Sequence, residues 1–312
     1  MRAHHFYACL VALSACGGTS AHSPPLPHLA AGPGPSLAGC AMFPADHAWN
    51  RDVSADPADA HSAEYLAFMG AGSLYLHPDF GGPYGQPFAV VPPLQAQVPM
   101  TFLYSSQSDP GPYPFPPDVP IQPAADRHAV VLEQGSCALY ETYLTVAEGG
   151  GFHADSGARF DLIGAAPRPA GWTAATAAGL PILPGLARCD EALDLGEIRH
   201  ALAFVAGGTA HAWVAPATHS AGKSSDPYAP PMGLRVRLRS DFDLSGFHGA
   251  SLVILRALQR YGMFLTDNAG GQFWAVAGAQ DSRWPVQDLE QLKTVPAGAF
   301  EVVALGTVHA GL

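Results

Sequence analysis

Two short, largely apolar runs rich in β-branched and aromatic residues, 127–132 and 138–146, flank Gln134, Gly135 and Ser136 and predict a β-hairpin. With Gly135 and Ser136 as the loop residues, Leu132 falls opposite Leu139, Val130 opposite Glu141 and His128 opposite Tyr143. His128, Glu141 and Tyr143 then share one face. Opposed side chains in such a ladder sit about 5 Å apart and diagonal ones roughly 7 Å, so His128 and Glu141 could reach one bound group. The other face, with Tyr140, Thr142, Leu144 and Val146, suits a packed core. A one-residue slip in the turn would undo the coincidence.

The rest of the chain is patterned in similarly short pieces. Residues 233–240, GLRVRLRS, alternate most regularly, with Leu234, Val236 and Leu238 inward and Arg235, Arg237 and Arg239 on the other face. Residues 197–205 alternate Ile198, His200, Leu202 and Phe204 against Arg199, Ala201, Ala203 and Val205. Further strands are predicted at 88–91, 100–104, 158–162, 211–215 and 300–305. A second hairpin, 263–266 with 272–277, is expected to turn through Asn268, Ala269, Gly270 and Gly271. Leu252, Leu255, Leu258 and Tyr261 follow helical spacing over 251–261, and shorter helices are predicted at 62–69 and 286–292. There is no internal repeat. The sum is a mostly β fold: an antiparallel β-sandwich of jelly-roll type with long Pro/Gly-rich loops and two or three short helices.

Composition supports that reading, since Gly (34) and Pro (30) abound while only 13% of residues are charged. Residues 108–117 interleave prolines with Tyr113 and Phe115 and predict a stiff, ring-lined loop. The long connection 167–184 carries Trp172, and an irregular segment of that length is commonly functional. A net charge of −11 argues against a general nucleic-acid or anionic-membrane binder.

The N-terminus changes the picture of where this domain resides. Arg2 precedes an apolar run, 6–13, too short to span a bilayer but suited to a secretory signal ending in Leu13-Ser14-Ala15-Cys16. Small residues before a cysteine resemble a bacterial lipobox, with cleavage before Cys16 and acylation of its thiol. The expected organisation is a lipoprotein signal peptide (1–15), a lipid-attached flexible tether (16–39) and a single β-rich domain (40–312), with contact to the membrane only through Cys16. Of five cysteines, Cys40, Cys137 and Cys189 remain in the domain, which allows one disulfide and one free thiol. Cys40 with Cys137 would staple the N-terminal arm to the hairpin turn and is preferred, with pairings through Cys189 left open.

The strong catalytic motifs are absent: there is no Gly-x-Ser-x-Gly elbow, phosphate loop, dinucleotide fingerprint or His-Glu-x-x-His. Glycoside cleavage needs one carboxylic acid to protonate the leaving oxygen and a second as nucleophile or base. Glu141 and Asp161 rank first because each interrupts an apolar strand, while Asp109, Asp126, Asp190, Glu191 and Glu197 lie at strand ends or in loops. Each acid also reads as an ordinary cap or surface residue. β-Elimination on a uronate would instead use Arg235, Arg237 and Arg239 with His128, His200 and Tyr143, although the arginines also read as a solvated strand face. Fourteen His, among them His77, His128, His200 and His219, have no metal-site pair spacing. Trp49, Trp172, Trp213, Tyr84, Tyr113 and Phe115 could stack on sugar rings, or pack as core.

The stretches HPDFG (77–81), SDPGPYPFP (108–116), DRHAVVLEQGSCALYE (126–141), RPAGWTAATAAGLPILPGL (168–186) and PPMGLRVRLRSDFDLSGF (230–247) resemble those of a family of secreted, mostly bacterial proteins. The resemblance spans roughly residues 43–303. It implies a single extracytoplasmic domain and carries over no catalytic residue. The reading is a lipid-anchored, cell-envelope enzyme cleaving a polysaccharide, with Glu141, Asp161, His128 and His200 as catalytic residues and Tyr143, Trp172, Arg235, Arg237 and Tyr113 binding substrate. The alternatives are a polysaccharide lyase and a non-catalytic glycan-binding or adhesion protein. No cofactor, metal or nucleic acid is expected, and the chain is expected to be a monomer.

Overall fold

The computed structural model describes residues 35–269 and 274–311, so the predicted signal peptide, Cys16 and most of the tether lie outside the described residues. Ten strands build the two larger sheets: β1 (Leu76–Pro78), β2 (Ala89–Val91), β3 (Ala129–Glu133), β4 (Ala138–Tyr143), β5 (Ser156–Asp161), β6 (Leu202–Gly207), β7 (Arg235–Leu238), β8 (Met263–Ala269), β9 (Trp274–Val276) and β10 (Phe300–Val302). The first sheet runs β5-β4-β3-β2 and the second β10-β7-β8-β6-β9-β1. Helices are few and short: α1 (Ser62–Phe68), α2 (Gly249–Arg260) and α3 (Val286–Leu289). The fold is therefore mostly β, as the short alternating runs require. Among the described residues no helix is long and apolar enough to cross a membrane.

The hairpin takes the register expected of it, with Leu132 opposite Leu139 and Val130 opposite Glu141. Both of its faces are packed. Val130, Leu132, Leu139 and Phe160 join the main core shared with the second sheet, whereas Val131, Ala138 and Tyr140 pack in a smaller core against Tyr113, Phe115 and Phe152. Tyr113 is fully buried there and donates its hydroxyl to the Asp109 carbonyl at 2.9 Å, which removes it from the substrate-binding set.

Within the two larger sheets three pairs run parallel, β6 with β8, β9 with β1 and β2 with β3, where the alternation had suggested antiparallel neighbours. Alternation reports which faces are buried and says nothing about the partner's direction. The second predicted hairpin is not a ladder either, because β6 lies between β8 and β9 and bonds to both. That placement covers Phe204 and Val276 on both sides with apolar neighbours. The strand expected at 197–205 starts only at Leu202, so His200 precedes β6 rather than pointing from it.

Cys40 and Cys137 form the disulfide, with Cα atoms 5.4 Å apart, and Cys189 is free and buried. Ser36 and Leu37 pair with Ala41 and Cys40, so part of the stretch assigned to the tether is paired structure. The arm that follows is clasped by two arginines. All four residues of β7 are buried. Arg235 donates to the carbonyls of Ala48 and Arg51, both at 2.9 Å, and of Tyr261, while its guanidinium sits 4.7 Å over the Phe264 ring. Arg237 donates to the Val53 carbonyl and, at 2.8 Å, to Glu301. Neither presents a cation to a ligand: a buried guanidinium survives here because fixed carbonyl dipoles replace its water.

Candidate functional site

Glu141 leaves β4 on the core face and is fully buried. Its carboxylate accepts the backbone N–H of Ile182 at 2.8 and 2.9 Å and of Leu183 at 2.9 Å. These are the free donors at the start of the 3-10 turn Leu183–Gly185, so Glu141 caps that turn from another element. Burial pushes its carboxyl up to about 7, against the pull of the two N–H groups and the Arg168 charge. Such an acid ties the 168–186 loop to the first sheet.

Asp161 ends β5 on the opposite face, because Ala158 is the residue paired with Glu141 and Asp161 is three positions on. It is exposed and accepts N–H groups from Ile163 and Gly164 at 3.0 and 2.9 Å, which hold its carboxyl below the usual range. The sheet thus separates the two acids predicted to act together. His200 is likewise enclosed, lying between the Ala201 carbonyl at 2.8 Å and Glu191 at 3.1 Å, with Arg188 on the other Glu191 oxygen at 3.0 Å. Burial opposes the charge on Glu191, yet Arg188 and His200 outweigh it and lower its pKa. Trp172 sits under the Arg168 guanidinium at 5.7 Å.

The chemistry gathers elsewhere, in a cleft of about 550 Å³ between the two sheets. His128 and Tyr143 enter it from the first sheet, their rings 5.7 Å apart. Asp267 enters from β8, Asp126 from the turn before β3, and His219 from the segment preceding β7. The 168–186 loop walls one side with Thr173, Thr176 and Ala177. Gln107, Gln122 and Asn268 add amides, while among the described residues no Lys or Arg lines the cleft.

Asp267 is the most perturbed acid in the cleft. Burial pushes it up to about 6, the N–H groups of Ala177 at 3.1 Å and Asn268 at 2.7 Å pull it down, and the Asp126 charge pushes it up again. Asp126 and Asp267 both raise the Tyr143 hydroxyl, after burial, so these three groups share one electrostatic environment. His128 has its Nε2 3.1 Å from the Ala175 carbonyl and its Nδ1 2.9 Å from Gln122. Burial lowers its pKa and favours the neutral ring, with Asp126 acting the other way. His219 Nδ1 lies 2.7 Å from the Ala177 carbonyl, so that hydrogen bond requires Nδ1–H to donate.

Of the predicted set, only His128 and Tyr143 meet in the cleft. Asp267 was hidden because it follows the apolar run 263–266 and reads as the first polar residue of a turn. Its one signal was an acid directly ending a buried strand. No protein-family model, curated protein or solved structure matches the chain.

Proposed function

We propose that the protein is a lipid-anchored, extracytoplasmic enzyme that hydrolyses a glycosidic bond of a polysaccharide in the cleft between the sheets. Asp267 is the general acid and Asp126 the second carboxylate. The observation that carries this reading is Asp267 itself: a carboxyl held up to about 6 in a cleft that a solvent-exposed acid, Asp126, also lines. Glycoside cleavage needs this asymmetry between two carboxyl groups, one whose raised pKa lets it deliver a proton and one available as nucleophile or base. Tyr143 sits where it can hydrogen-bond sugar hydroxyls, and the amides of Gln107, Gln122 and Asn268 supply donors and acceptors, while His128 braces the wall through Gln122 and the Ala175 carbonyl.

The lining favours a neutral glycan over a uronate. β-Elimination requires the substrate carboxylate to be neutralised, and Arg235 and Arg237 are committed to backbone carbonyls of the arm. The N-terminal Cys16 pattern supports delivery of the enzyme to the cell envelope.

The test is an assay of new reducing ends on neutral polysaccharides, with absorbance from unsaturated uronates followed in parallel. Asp267→Asn should reduce the rate on the order of 10²- to 10⁴-fold, the range for loss of a general acid. Retention of the protein on an insoluble glycan without new reducing ends would replace this reading with a binding protein.

A further inference from the structure

His219 lines the cleft and has no part in the proton transfers assigned to Asp267 and Asp126. Its backbone N–H donates to the Ala178 carbonyl at 3.2 Å, as does that of Thr218 at 3.0 Å, and the Thr218 hydroxyl donates to the Trp172 carbonyl at 2.9 Å. Ala178 in turn donates to the Thr266 carbonyl of β8. The segment carrying His219 is thus pinned to the 168–186 loop, and that loop to the strand that carries Asp267.

The ring is held as firmly as the backbone. Nδ1 donates to the Ala177 carbonyl at 2.7 Å, so in the neutral ring Nε2 carries the lone pair. Nε2 has no hydrogen-bond partner among the described residues and, unlike the enclosed nitrogens of Trp49, Trp213 and Arg168, is reached by solvent. Ala177 also donates its N–H to Asp267 at 3.1 Å. One loop residue therefore holds both side chains, the acid through its N–H and the histidine through its carbonyl.

Neighbouring polar groups are used or offer only donors. Both oxygens of Asp267 already accept backbone N–H groups, and the Asn268 oxygen accepts the Thr209 hydroxyl at 2.8 Å, which leaves the Asn268 amino group to donate. An uncharged acceptor in the same cleft complements that amino group, because a sugar hydroxyl both gives and takes hydrogen bonds. A lone pair offers nothing to an anion, or to an ether or ester oxygen.

We propose that His219 binds substrate by accepting, at Nε2, a hydrogen bond from a glycan hydroxyl, an inference that rests on the glycosidase reading and selects glycans in which that hydroxyl is free. A site built around a substrate hydroxyl discriminates against the analogue lacking it, since its own polar group is then left unpaired.

The experiment is nitrogen-15 NMR of the histidine rings in the purified full chain at about pH 8, where an ordinary imidazole is neutral, with titration of cellohexaose, mannohexaose and xylohexaose in turn. Expected are a protonated Nδ1 and a bare Nε2 for His219 in the free protein. The Nε2 resonance should then shift with a hexasaccharide that also shifts the Tyr143 ring. By titration calorimetry, His219→Asn, which keeps a donor toward the Ala177 carbonyl and deletes the acceptor, should weaken that binding at least about tenfold. His219→Gln, which can place an amide oxygen near the Nε2 position, should retain most of it. Among mono-deoxy analogues of the bound sugar, one should lose affinity for the wild type and lose nothing further in His219→Asn. Thermal melting controls for folding, and the wild-type spectra decide the outcome where a variant does not fold. An Nε2–H tautomer in the free protein, or unchanged affinity in His219→Asn, would overturn the proposal. So would an unmoved Nε2 resonance while Tyr143 shifts, which leaves the glycan reading standing. If no hexasaccharide shifts either residue, both fall together.

Discussion

Glu141→Gln isolates the cost of one buried charge. In the folded chain the carboxyl is pushed up to about 7 from an ordinary 4.5, because burial disfavours the ionised form more than the N–H groups of Ile182 and Leu183 and the Arg168 charge favour it. Below about pH 4 the group is protonated in both folded and unfolded chains and costs nothing. Between 4.5 and 7 the unfolded chain releases the proton while the folded chain retains it, so stability falls as pH rises. Above 7 the full penalty is present. A displacement of this size, at about 1.4 kcal/mol per pH unit, amounts to about 3 kcal/mol.

Glutamine keeps an oxygen where Oε1 accepts from both Ile182 and Leu183, and it cannot ionise. The stability of the variant relative to wild type should therefore improve by about 3 kcal/mol from pH 4 to pH 8. Asp267 titrates in both proteins and cancels in the difference. Urea unfolding of the two proteins at one-unit pH intervals measures it. A difference that stays flat across that range would refute the argument, and would mean that water or a rearranged loop solvates Glu141.

Three further outcomes follow from other contacts. Asp126→Asn removes the negative charge that helps to raise Asp267, so the carboxyl titration of Asp267, followed by carbon-13 NMR, should move below about 6, and an unmoved midpoint would separate the two acids. Replacing Cys40 and Cys137 by serine releases a link spanning 97 residues and should cost roughly 4 kcal/mol in chemical unfolding, with little loss if the reduced chain stays compact. Arg235→Met leaves the carbonyls of Ala48, Arg51 and Tyr261 without their donor. It should cost about 3 kcal/mol and expose the 44–58 arm to proteolysis before the sheets, and simultaneous cleavage of both would contradict the clasp.

The hairpin was legible because one pattern and one turn determine its register. A Gly-containing loop fixes which residues oppose, and the period of two then assigns every side chain to a face. The disulfide was legible for a related reason, since Cys137 sits at that turn and Cys40 stands at the start of the segment read as the folded domain. The function of each face was not. Glu141 and His128 do share a face with Tyr143, but the face is roofed by a loop more than forty positions away in sequence, and that loop supplies the donors that Glu141 accepts. The arginines of β7 failed in the same way: alternation placed them correctly on one face, and the arm at 48–53 turned that face into interior. Local pattern reports the strand's own geometry, while burial of its outer face depends on what the rest of the chain lays over it.

That dependence also explains why the two raised acids, Glu141 and Asp267, are linked although they stand on different sheets. The 168–186 loop meets Glu141 through Ile182 and Leu183, and meets β8 through Ala177, which donates to Asp267, and Ala178, which donates to the Thr266 carbonyl at 3.0 Å. Gly179 follows in the left-handed region, where a Cβ would strike the Thr218 hydroxyl, so this one position between the anchors tolerates no side chain. The loop is thus a strut held at one end by a buried carboxyl that the first sheet provides. At the other end it supplies one of the two N–H groups that keep Asp267 from rising further. Glu141 therefore meets the cleft only through this loop, whose Ile182 it holds and whose Ile182 and Ala177 both line the cleft, and this is why an acid interrupting a buried strand lay near the cleft without facing it.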